Sequence, residues 1–395
     1  MNQKRSYVLF AVVLSGLLLA LAGSFNNGSD EFIHLSRSFR SGVTYFINPL
    51  LNADYDMVSY QGRLYWPQGP FPAVVLLPIV TLADLLHQPV TQGIIQFAFT
   101  IVTVFGVYKL VRRLKISRLD ATTWTVAFVM GSMYIGQVFA SSYAFAHVMV
   151  VALMVGALLE FTGRRRWWMI GLFYGAILLT RPTAAVTILF FVLQAFTELK
   201  GQIRFRALWH LALPLGVAVV AALSYNFIRF GNPLESGYAL QILYSPALRI
   251  ARDQFGLFSL AHVPGNLYRM FIAGPLPVTY ANTMVVRPPY IAIDLQGMGM
   301  LLTSPYLIGL FFLDLRDKLA RHLLLAVILT ALPILFYYGV GWMQFGYRYA
   351  LDFWPMLFYL FAWTYHRQQR SIQSGLFWLV MVSAMINTYL LITQI

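Results

Sequence analysis

Two adjacent carboxylates follow the first long apolar run of this chain. Asp30 and Glu31 lie in the segment SFNNGSDEFIHLSRSF, residues 24–39, in a chain that has only 14 Asp and Glu residues. The apolar run ends at Phe25, so these side chains must stay within about two helical turns of its end. A pair placed there could act on a substrate that is itself anchored in a membrane.

A carboxylate at this position could act as general base on an acceptor hydroxyl during group transfer from a lipid phosphate. A phosphate leaving group needs no general acid, unlike glycoside hydrolysis, in which two carboxylates share the work. A structural alternative is that Ser29 caps a helix beginning near residue 30, with the acids in its first turn. The two roles are compatible, because the start of a capped helix is also a rigid place for a base.

Arginines outside the dense basic clusters could hold the departing phosphate, because a guanidinium pairs bidentately with phosphate and keeps its charge. The alternative is that they reach from helix ends to the membrane interface. Arg181 and Arg348 border apolar spans, where an ionisable side chain is costly and a functional role is the default hypothesis. These arginines are Arg37, Arg40, Arg63, Arg181, Arg229, Arg249, Arg252, Arg269, Arg287 and Arg348.

Composition places all these residues in an integral membrane protein. Of the 395 residues, 59% are hydrophobic and only 11% are charged, against about 25% charged residues in soluble domains. Apolar runs of about 17 to 25 residues recur along the chain, which predicts helices instead of a barrel. The net charge of +14 comes from clusters between these runs, so it indicates topology and not nucleic-acid binding. The absence of cysteine excludes disulfides and thiolate chemistry.

Basic clusters are expected on the cytoplasmic side, so an even number of membrane crossings must separate consecutive clusters. This rule predicts an all-α bundle of about eleven transmembrane spans, with the N-terminus in the cytoplasm and the C-terminus outside. The six clusters are Lys4-Arg5, Lys109–Arg118, Arg164–Arg166, Lys200–Arg206, Arg316–Arg321 and Arg367–Arg370. The predicted spans are 7–25, 93–110, 121–138, 144–161, 167–180, 183–197, 207–228, 298–313, 321–341, 351–365 and 375–393. The first span also resembles a signal peptide, because its short apolar core ends in ALAGS.

Two long non-cytoplasmic loops, residues 26–92 and 229–297, complete this single domain, 1–395. The run Phe71 to Leu86 is short and contains Pro72, Pro78 and Asp84, so we expect it to be interfacial or re-entrant. Proline and glycine steps in the second loop predict short helices at the interface.

Other candidate residues have structural alternatives. His147 begins a predicted span and could contact a metal or a hydroxyl, although a hydrogen-bonded interfacial histidine is the plainer expectation. A hard divalent cation is possible at Asp30, Glu31, Asp54 and Asp56. Tyr60, Tyr65, Trp66, Trp342 and Tyr347 are expected to form an interfacial aromatic belt, and some could stack on a sugar.

Several segments together resemble a known family. The order of DEFIHLSRSF, YQGRLYWPQGPFPAVVLLP, LLTRPTA, YNFIRFGNPLESGY, LLTSPYL and FGYRYALDFWP is similar to that in the polytopic GT-C glycosyltransferases of the protein-mannosyltransferase and aminoarabinose-transferase type. The resemblance implies an inverting transferase that uses a polyprenyl-phosphate-linked sugar on the non-cytoplasmic face of a bacterial or archaeal cell membrane. It places the family's first-loop base at Asp30, with Glu31 supporting it.

The sequence departs from this family at the donor phosphate. Many relatives have a lysine before a proline where this chain has Gln68-Gly69-Pro70. Phosphate binding would then fall to Arg348 first and Arg63 second, and the substrate pocket could include Asp56, Tyr65, Gln68, His147 and Arg181. Many relatives carry a soluble C-terminal domain; we expect none after the last span here, so the expected acceptor is a lipid-linked glycan or polysaccharide.

A rival function is a flippase or another transporter of polyprenyl-linked sugars. Transporters bind at mid-bilayer depth between repeated halves. The charges of this chain concentrate at span ends and its halves do not repeat, so the transferase is favoured.

Overall fold

The protein is a bundle of helices with two small β-hairpins. The computed structural model describes residues 2–24, 29–47, 56–139, 141–243, 245–281, 283–369 and 371–393. The helices are α1 Asn2–Ser24, α2 Glu31–Arg40, α3 Phe71–Leu85, α4 Gln92–Arg112, α5 Arg118–Val129, α6 Ser142–Thr162, α7 Trp167–Leu178, α8 Pro182–Ala185, α9 Leu189–Glu198, α10 Gly201–Phe230, α11 Pro246–Phe255, α12 Val263–Phe271, α13 Met300–Thr303, α14 Lys318–Phe336, α15 Trp354–Gln368 and α16 Ser374–Ile392. The predicted helical membrane fold is confirmed, and the hairpins were not predicted.

Six described helices, α1, α4, α6, α10, α14 and α16, are long and apolar enough to cross a membrane. Three predicted spans are not single helices, and one of them, residues 183–197, divides into α8, a 3₁₀ helix, Val186–Ile188, and α9. Residues 121–138 divide into α5 and a 3₁₀ helix, Met133–Val138, and residues 298–313 divide into α13 and a 3₁₀ helix, Pro305–Phe312. A 3₁₀ helix advances about 2.0 Å per residue, so these segments still extend well along the bundle. The count of eleven spans stays a prediction.

The described residues of the six basic clusters lie at one end of the bundle, which we call the basic face. Side chains there link helix ends that are far apart in sequence. The contacts are Arg5 with Ser374, Arg113 with Thr162, Arg165 with Glu198, and Arg367 with Asp317. These contacts join the start of α1 to the start of α16, the end of α6 to the ends of α4 and α9, and the end of α15 to the start of α14. Each contact therefore joins helix ends that carry basic clusters, which agrees with the single face predicted from the clusters.

The opposite end of the bundle, which we call the site face, collects both long loops. The Tyr60 hydroxyl donates to the carbonyl of Phe230 at the end of α10. Val58 forms a β-bridge with Gln241 of the second loop. The two loops therefore pack on each other above the helix ends.

The apolar run beginning at Phe71 forms one helix, α3, that belongs to the site face. Its 15 residues measure about 22 Å, less than the roughly 30 Å of a bilayer's hydrocarbon core. Asp84 near its end accepts hydrogen bonds from Arg37 of α2, at 2.8 and 3.2 Å, and forms an ion pair with Arg40. This pairing holds α2 and α3 together, and the neighbouring guanidinium of Arg37 lowers the pKa of Asp84.

The two hairpins lie one in each loop. In the first loop, β1 Val58–Tyr60 pairs antiparallel with β2 Arg63–Tyr65. In the second, β3 Leu276–Thr279 pairs antiparallel with β4 Val286–Ala292, with a bulge between Pro277 and Thr279. Helices α11 and α12 confirm that the second loop contains short helices.

Polar side chains of α16 bind backbone oxygens deep in the bundle. Asn387 donates to the carbonyls of Met130 and Thr303, at 2.9 and 2.8 Å. Both carbonyls lie where a helix has ended, so they lack a partner in the next helical turn. Asn387 thus fastens the last helix to the two interrupted segments.

Replacing Asn387 with Leu should lower the free energy of unfolding by about 1–2 kcal/mol, because two buried carbonyls lose a donor. Thermal unfolding in detergent measures this loss. The control is Thr388→Val at the next position, where the buried hydroxyl has no hydrogen-bond partner among the described residues. Equal unfolding temperatures for the two variants would contradict the fastening role.

Candidate active site

Tyr143, in the first turn of α6, is the centre of a polar cluster on the site face. Helix α6 starts here because the Ser141 hydroxyl accepts the backbone N–H of Ala144 at 3.1 Å, a typical N-cap. The Tyr143 side chain lies close enough to the Asp56 carboxylate to lower its pKa, and the Arg348 guanidinium lies 4.8 Å from the centre of the Tyr143 ring. An acid of the first loop and a cation from the end of the chain therefore meet on one tyrosine.

Asp56 is held by its backbone, which leaves its carboxylate available. Its N–H donates to the carbonyl of Ile242 at 3.2 Å, and its carbonyl accepts from the Gln241 side chain at 2.8 Å. Its φ of 59° is left-handed, a conformation that Asp tolerates better than most residues. Burial raises the pKa of Asp56, while Tyr143 and the positive charge of Arg348 oppose that rise.

Arg348 begins a 3₁₀ helix, Arg348–Asp352. Its guanidinium lies 5.5 Å from the centre of the Tyr349 ring and donates to the carbonyl of Trp342 at 3.2 Å. Contacts of this kind hold the guanidinium between two aromatic rings and leave other N–H groups for a ligand. We call Asp56, Trp66, Tyr143, Arg348 and Tyr349 the Tyr143 cluster; Trp66 joins it with its ring centre 5.3 Å from that of Tyr143.

A buried ion pair lies beneath this cluster. Arg181 donates to both oxygens of Asp352, at 2.6 and 3.0 Å, and the Thr183 hydroxyl donates to the same carboxylate. The Asp352 side chain is 0% exposed and the Arg181 side chain 11%. His147, one turn after Tyr143 on α6, places its Nδ1 3.6 Å from Asp352. These four residues form what we call the Asp352 network.

The segment Gln68-Gly69-Pro70 packs directly on the turn that carries Arg181. A Cβ atom at Gly69 would lie 2.0 Å from the carbonyl oxygen of Leu179, so only glycine fits. The N–H of Phe71 donates to the same oxygen at 3.2 Å. This close approach places Gln68 beside the Arg181 turn.

Several buried polar atoms in this region lack hydrogen-bond partners among the described residues. In the described part of the chain, the unpartnered atoms include Trp66 Nε1, Gln68 Oε1, Arg348 Nε and both ring nitrogens of His147. Native proteins contain few buried polar atoms without a hydrogen-bond partner, and a bound ligand is one way to satisfy them. Donors and acceptors of this kind around one site suit a ligand with many hydroxyl or phosphate oxygens.

Tyrosine rings continue the cluster toward the second loop. The ring centre of Tyr337 lies 6.1 Å from that of Tyr349 and 6.2 Å from that of Tyr238. Aromatic walls with a few polar groups are typical of small-ligand sites. Tyr143, Tyr238 and Tyr349 were not singled out from the sequence, since nothing distinguishes them among its 23 tyrosines.

Asp30 has a structural role that its sequence position did not reveal. Its carboxylate accepts the backbone N–H of Gln92, the first residue of α4, at 3.0 Å. Asp30, not Ser29, is the N-cap residue of α2, and the Ser29 hydroxyl instead accepts the N–H of Ser142 at 3.1 Å. Burial raises the pKa of Asp30, and the Gln92 N–H opposes that rise. Asp30 thus ties the starts of two neighbouring helices.

Glu31 and Arg63 also lie apart from the Tyr143 cluster. Glu31 begins α2 and has a buried Oε2 without a partner among the described residues. Arg63 lies on β2 and stacks on the ring of Tyr45 at 4.4 Å. Tyr65, on the same strand, packs between Tyr45 and Phe230. The structure therefore brings Asp56, Gln68, His147, Arg181 and Arg348 together and leaves Asp30, Glu31, Arg63 and Tyr65 outside their direct contacts.

Two expectations about site-face residues are wrong. His147 is fully buried and neither ring nitrogen has a hydrogen-bond partner among the described residues, so it is not the hydrogen-bonded histidine that was expected. Tyr65, Trp66 and Tyr347 are buried in the core and do not form part of an interfacial belt, whereas Trp342 is exposed. Their rings pack between loops and helices because both long loops fold back over the bundle.

No group of three or more His, Cys, Asp or Glu side chains in the described ranges is arranged to hold a metal ion. Asp54, one member of the predicted cation set, lies outside those ranges. Asp30 and Asp56 belong to separate clusters, and the cation at this set of residues stays a prediction.

Neither a protein-family model nor a curated protein matches the chain. A solved structure, that of the Archaeoglobus fulgidus oligosaccharyltransferase tethered to an acceptor peptide by a disulfide bond, is similar over 98% of this chain and 54% of its own, with a TM-score of 0.45 and 14% identity. The chain thus spans about half the length of that protein. Likeness at this level assigns no activity to the chain.

Replacing Asp352 with Asn should destabilise the protein by about 3–5 kcal/mol, because it leaves the buried Arg181 charge without its partner. Unfolding temperature in detergent measures the loss. The matched control is Asp253→Asn in the Arg252–Asp253 pair, whose carboxylate side chain is 55% exposed and whose loss should cost less than about 1 kcal/mol. Equal effects of the two substitutions would contradict a structural role for the Asp352 network.

Proposed function

We propose that the protein is an inverting glycosyltransferase that moves a sugar from a polyprenyl phosphate to an acceptor hydroxyl at the site face. The observation that supports this most is the meeting of Asp56 and Arg348 on Tyr143, with unpartnered buried polar atoms around them. A base and a phosphate-binding cation beside the same aromatic ring are what such a transfer requires.

In the proposed reaction, Asp56 takes the proton of the acceptor hydroxyl as that oxygen attacks the anomeric carbon. The bond from the anomeric carbon to the phosphate oxygen breaks, and its electron pair leaves with the polyprenyl phosphate. Arg348 binds that phosphate, because its guanidinium offers several donors in a fixed plane. Gln68 and His147 supply hydrogen bonds to sugar hydroxyls.

The site face is the non-cytoplasmic side in this proposal, because all the described basic clusters lie at the other end of the bundle. The N-terminus is then cytoplasmic and the C-terminus outside. The donor's lipid chain lies in the membrane beside the bundle and presents its phosphate to Arg348. A lipid-linked glycan or polysaccharide is the proposed acceptor.

Asp56→Asn should reduce transfer by about 10²–10⁴-fold with little change in donor KM, because it removes the base and not a binding group. The matched control is Asp30→Asn, since asparagine can replace aspartate as a helix cap and should keep most of the activity. The assay incubates purified protein with a panel of polyprenyl-phosphate sugars and follows transfer or donor hydrolysis.

Two results would contradict the assignment. In the first, Asp30→Asn stays well folded but loses transfer while Asp56→Asn keeps it; Asp30 would then be the base. A wild-type protein that neither transfers nor hydrolyses any donor, but moves the lipid-linked sugar across vesicles, would favour the transporter.

The pH dependence of kcat/KM should identify the base. Because burial raises the pKa of Asp56, the acid limb should lie above the ordinary aspartate pKa of about 3.9. Arg348→Gln removes a positive charge that favours the carboxylate, so it should move the limb to higher pH, whereas Arg348→Lys should leave it in place. Arg348 is not among the groups that act on the pKa of Asp30, so an unmoved limb in both variants would contradict Asp56 as base.

A further inference from the structure

The hairpin of the second loop ends in exposed apolar side chains. Met284 at its tip is 96% exposed, Val285 61% and Val286 49%. Apolar side chains grouped at a protruding tip are unusual for a surface that faces water only. The hairpin of the first loop has a different tip, with Gln61, Gly62 and Arg63 exposed.

A contact between this hairpin and α16 indicates the depth of the hairpin relative to the membrane. The Tyr389 hydroxyl, in the last turn of α16, donates to the carbonyl of Pro289 in β4. Helix α16 is one of the six helices able to cross a membrane. A strand bonded to its last turn lies where the helix leaves the hydrocarbon core.

Exposure along α16 shows on which side of the bundle the hairpin lies. Exposed residues at one-turn spacing form a stripe that leads to Tyr389: Trp378, Val382, Met385, Ile386 and Tyr389. An apolar stripe on a spanning helix faces lipid. The hairpin therefore stands at the lipid-facing edge of the bundle, at the end of this stripe.

The remaining side chains of the hairpin are those of a membrane interface. Tyr280 and Tyr290 are about half exposed, and the Arg287 guanidinium lies 5.6 Å from the centre of the Tyr280 ring. Tyrosine is enriched at the head-group level, where its ring is buried and its hydroxyl stays wet. An arginine at that level pairs with lipid phosphate.

We propose that the β3–β4 hairpin inserts its tip into the leaflet on the site face, with Met284, Val285 and Val286 among the upper acyl chains and Arg287 at the lipid phosphates. The bilayer is the partner of this surface. Only side chains enter the apolar layer, because unpaired backbone groups of the strand edges must stay at the interface. The proposal does not depend on the proposed transferase activity.

The absence of cysteine from the chain allows a single reporter without background. The full-length Met284→Cys variant is labelled with an environment-sensitive fluorophore and reconstituted into nanodiscs of phosphatidylethanolamine and phosphatidylglycerol. Both faces of a nanodisc bilayer are accessible to solvent. Nitroxide-labelled phospholipids quench a label in the bilayer, and aqueous iodide quenches a label in water. Gln61→Cys, at the tip of the polar β1–β2 hairpin, is the matched control, and Val285→Cys is a second reporter.

Nitroxide lipids should quench the label at residue 284 at least about twofold more than the label at residue 61, and iodide should show the reverse order. Val285→Cys should behave as Met284→Cys does. Iodide quenching at residues 284 and 285 equal to that at 61, without quenching by lipid, would overturn the insertion. Protection from both quenchers would also overturn it, since the tip would then be covered by protein, such as a second copy of the chain.

Discussion

A bidentate ion pair, almost wholly removed from water, joins the parts of the chain on which the candidate site depends. Arg181 ends the short connection between α7 and α8, and Asp352 closes the 3₁₀ helix before α15. Removing two charges from water is costly, and the cost is offset only when geometry is good and remaining acceptors are used. Here two guanidinium bonds and the Thr183 hydroxyl meet that condition.

This constraint determines where the reactive groups can be. Arg348 stands one turn before Asp352, so anchoring Asp352 also positions the guanidinium above it. On the other side, Gly69 fits against the turn that bears Arg181 only because it has no side chain. The first loop is thereby pressed onto the bundle, and Asp56 comes to share Tyr143 with Arg348. A rigid centre of this kind suits a reaction that aligns a lipid phosphate, an anomeric carbon and an attacking oxygen.

The sequence predicts those features of the fold that depend on hydropathy and charge along the chain. The shared face of the basic clusters and the short helix α3 follow from the positive-inside rule and from the length of a spanning helix. Arg181 and Arg348 were identified as site candidates because ionisable groups that border apolar spans are costly unless used. Asp56, Gln68 and His147 were candidates for the substrate pocket that the family resemblance implies.

The remaining features depend on contacts between distant segments. In the sequence, Asp30 and Asp56 are both carboxylates of the first loop, and either could be the base. Only the folded chain shows that the Asp30 carboxylate accepts the first N–H of α4, 62 residues away. Strands of three residues, such as β1 and β2, carry no periodic signal. Tyr143 becomes central because two loops and a helix start converge on it, which no local pattern reveals.

The most direct test of the site is an experimental structure of the protein with an unreactive polyprenyl-phosphonate sugar bound. The phosphonate should contact the Arg348 guanidinium, with the anomeric carbon between it and the Asp56 carboxylate and the sugar against Tyr143. A phosphonate bound at Arg63, or an anomeric carbon facing Asp30 with the Tyr143 cluster unoccupied, would contradict the account.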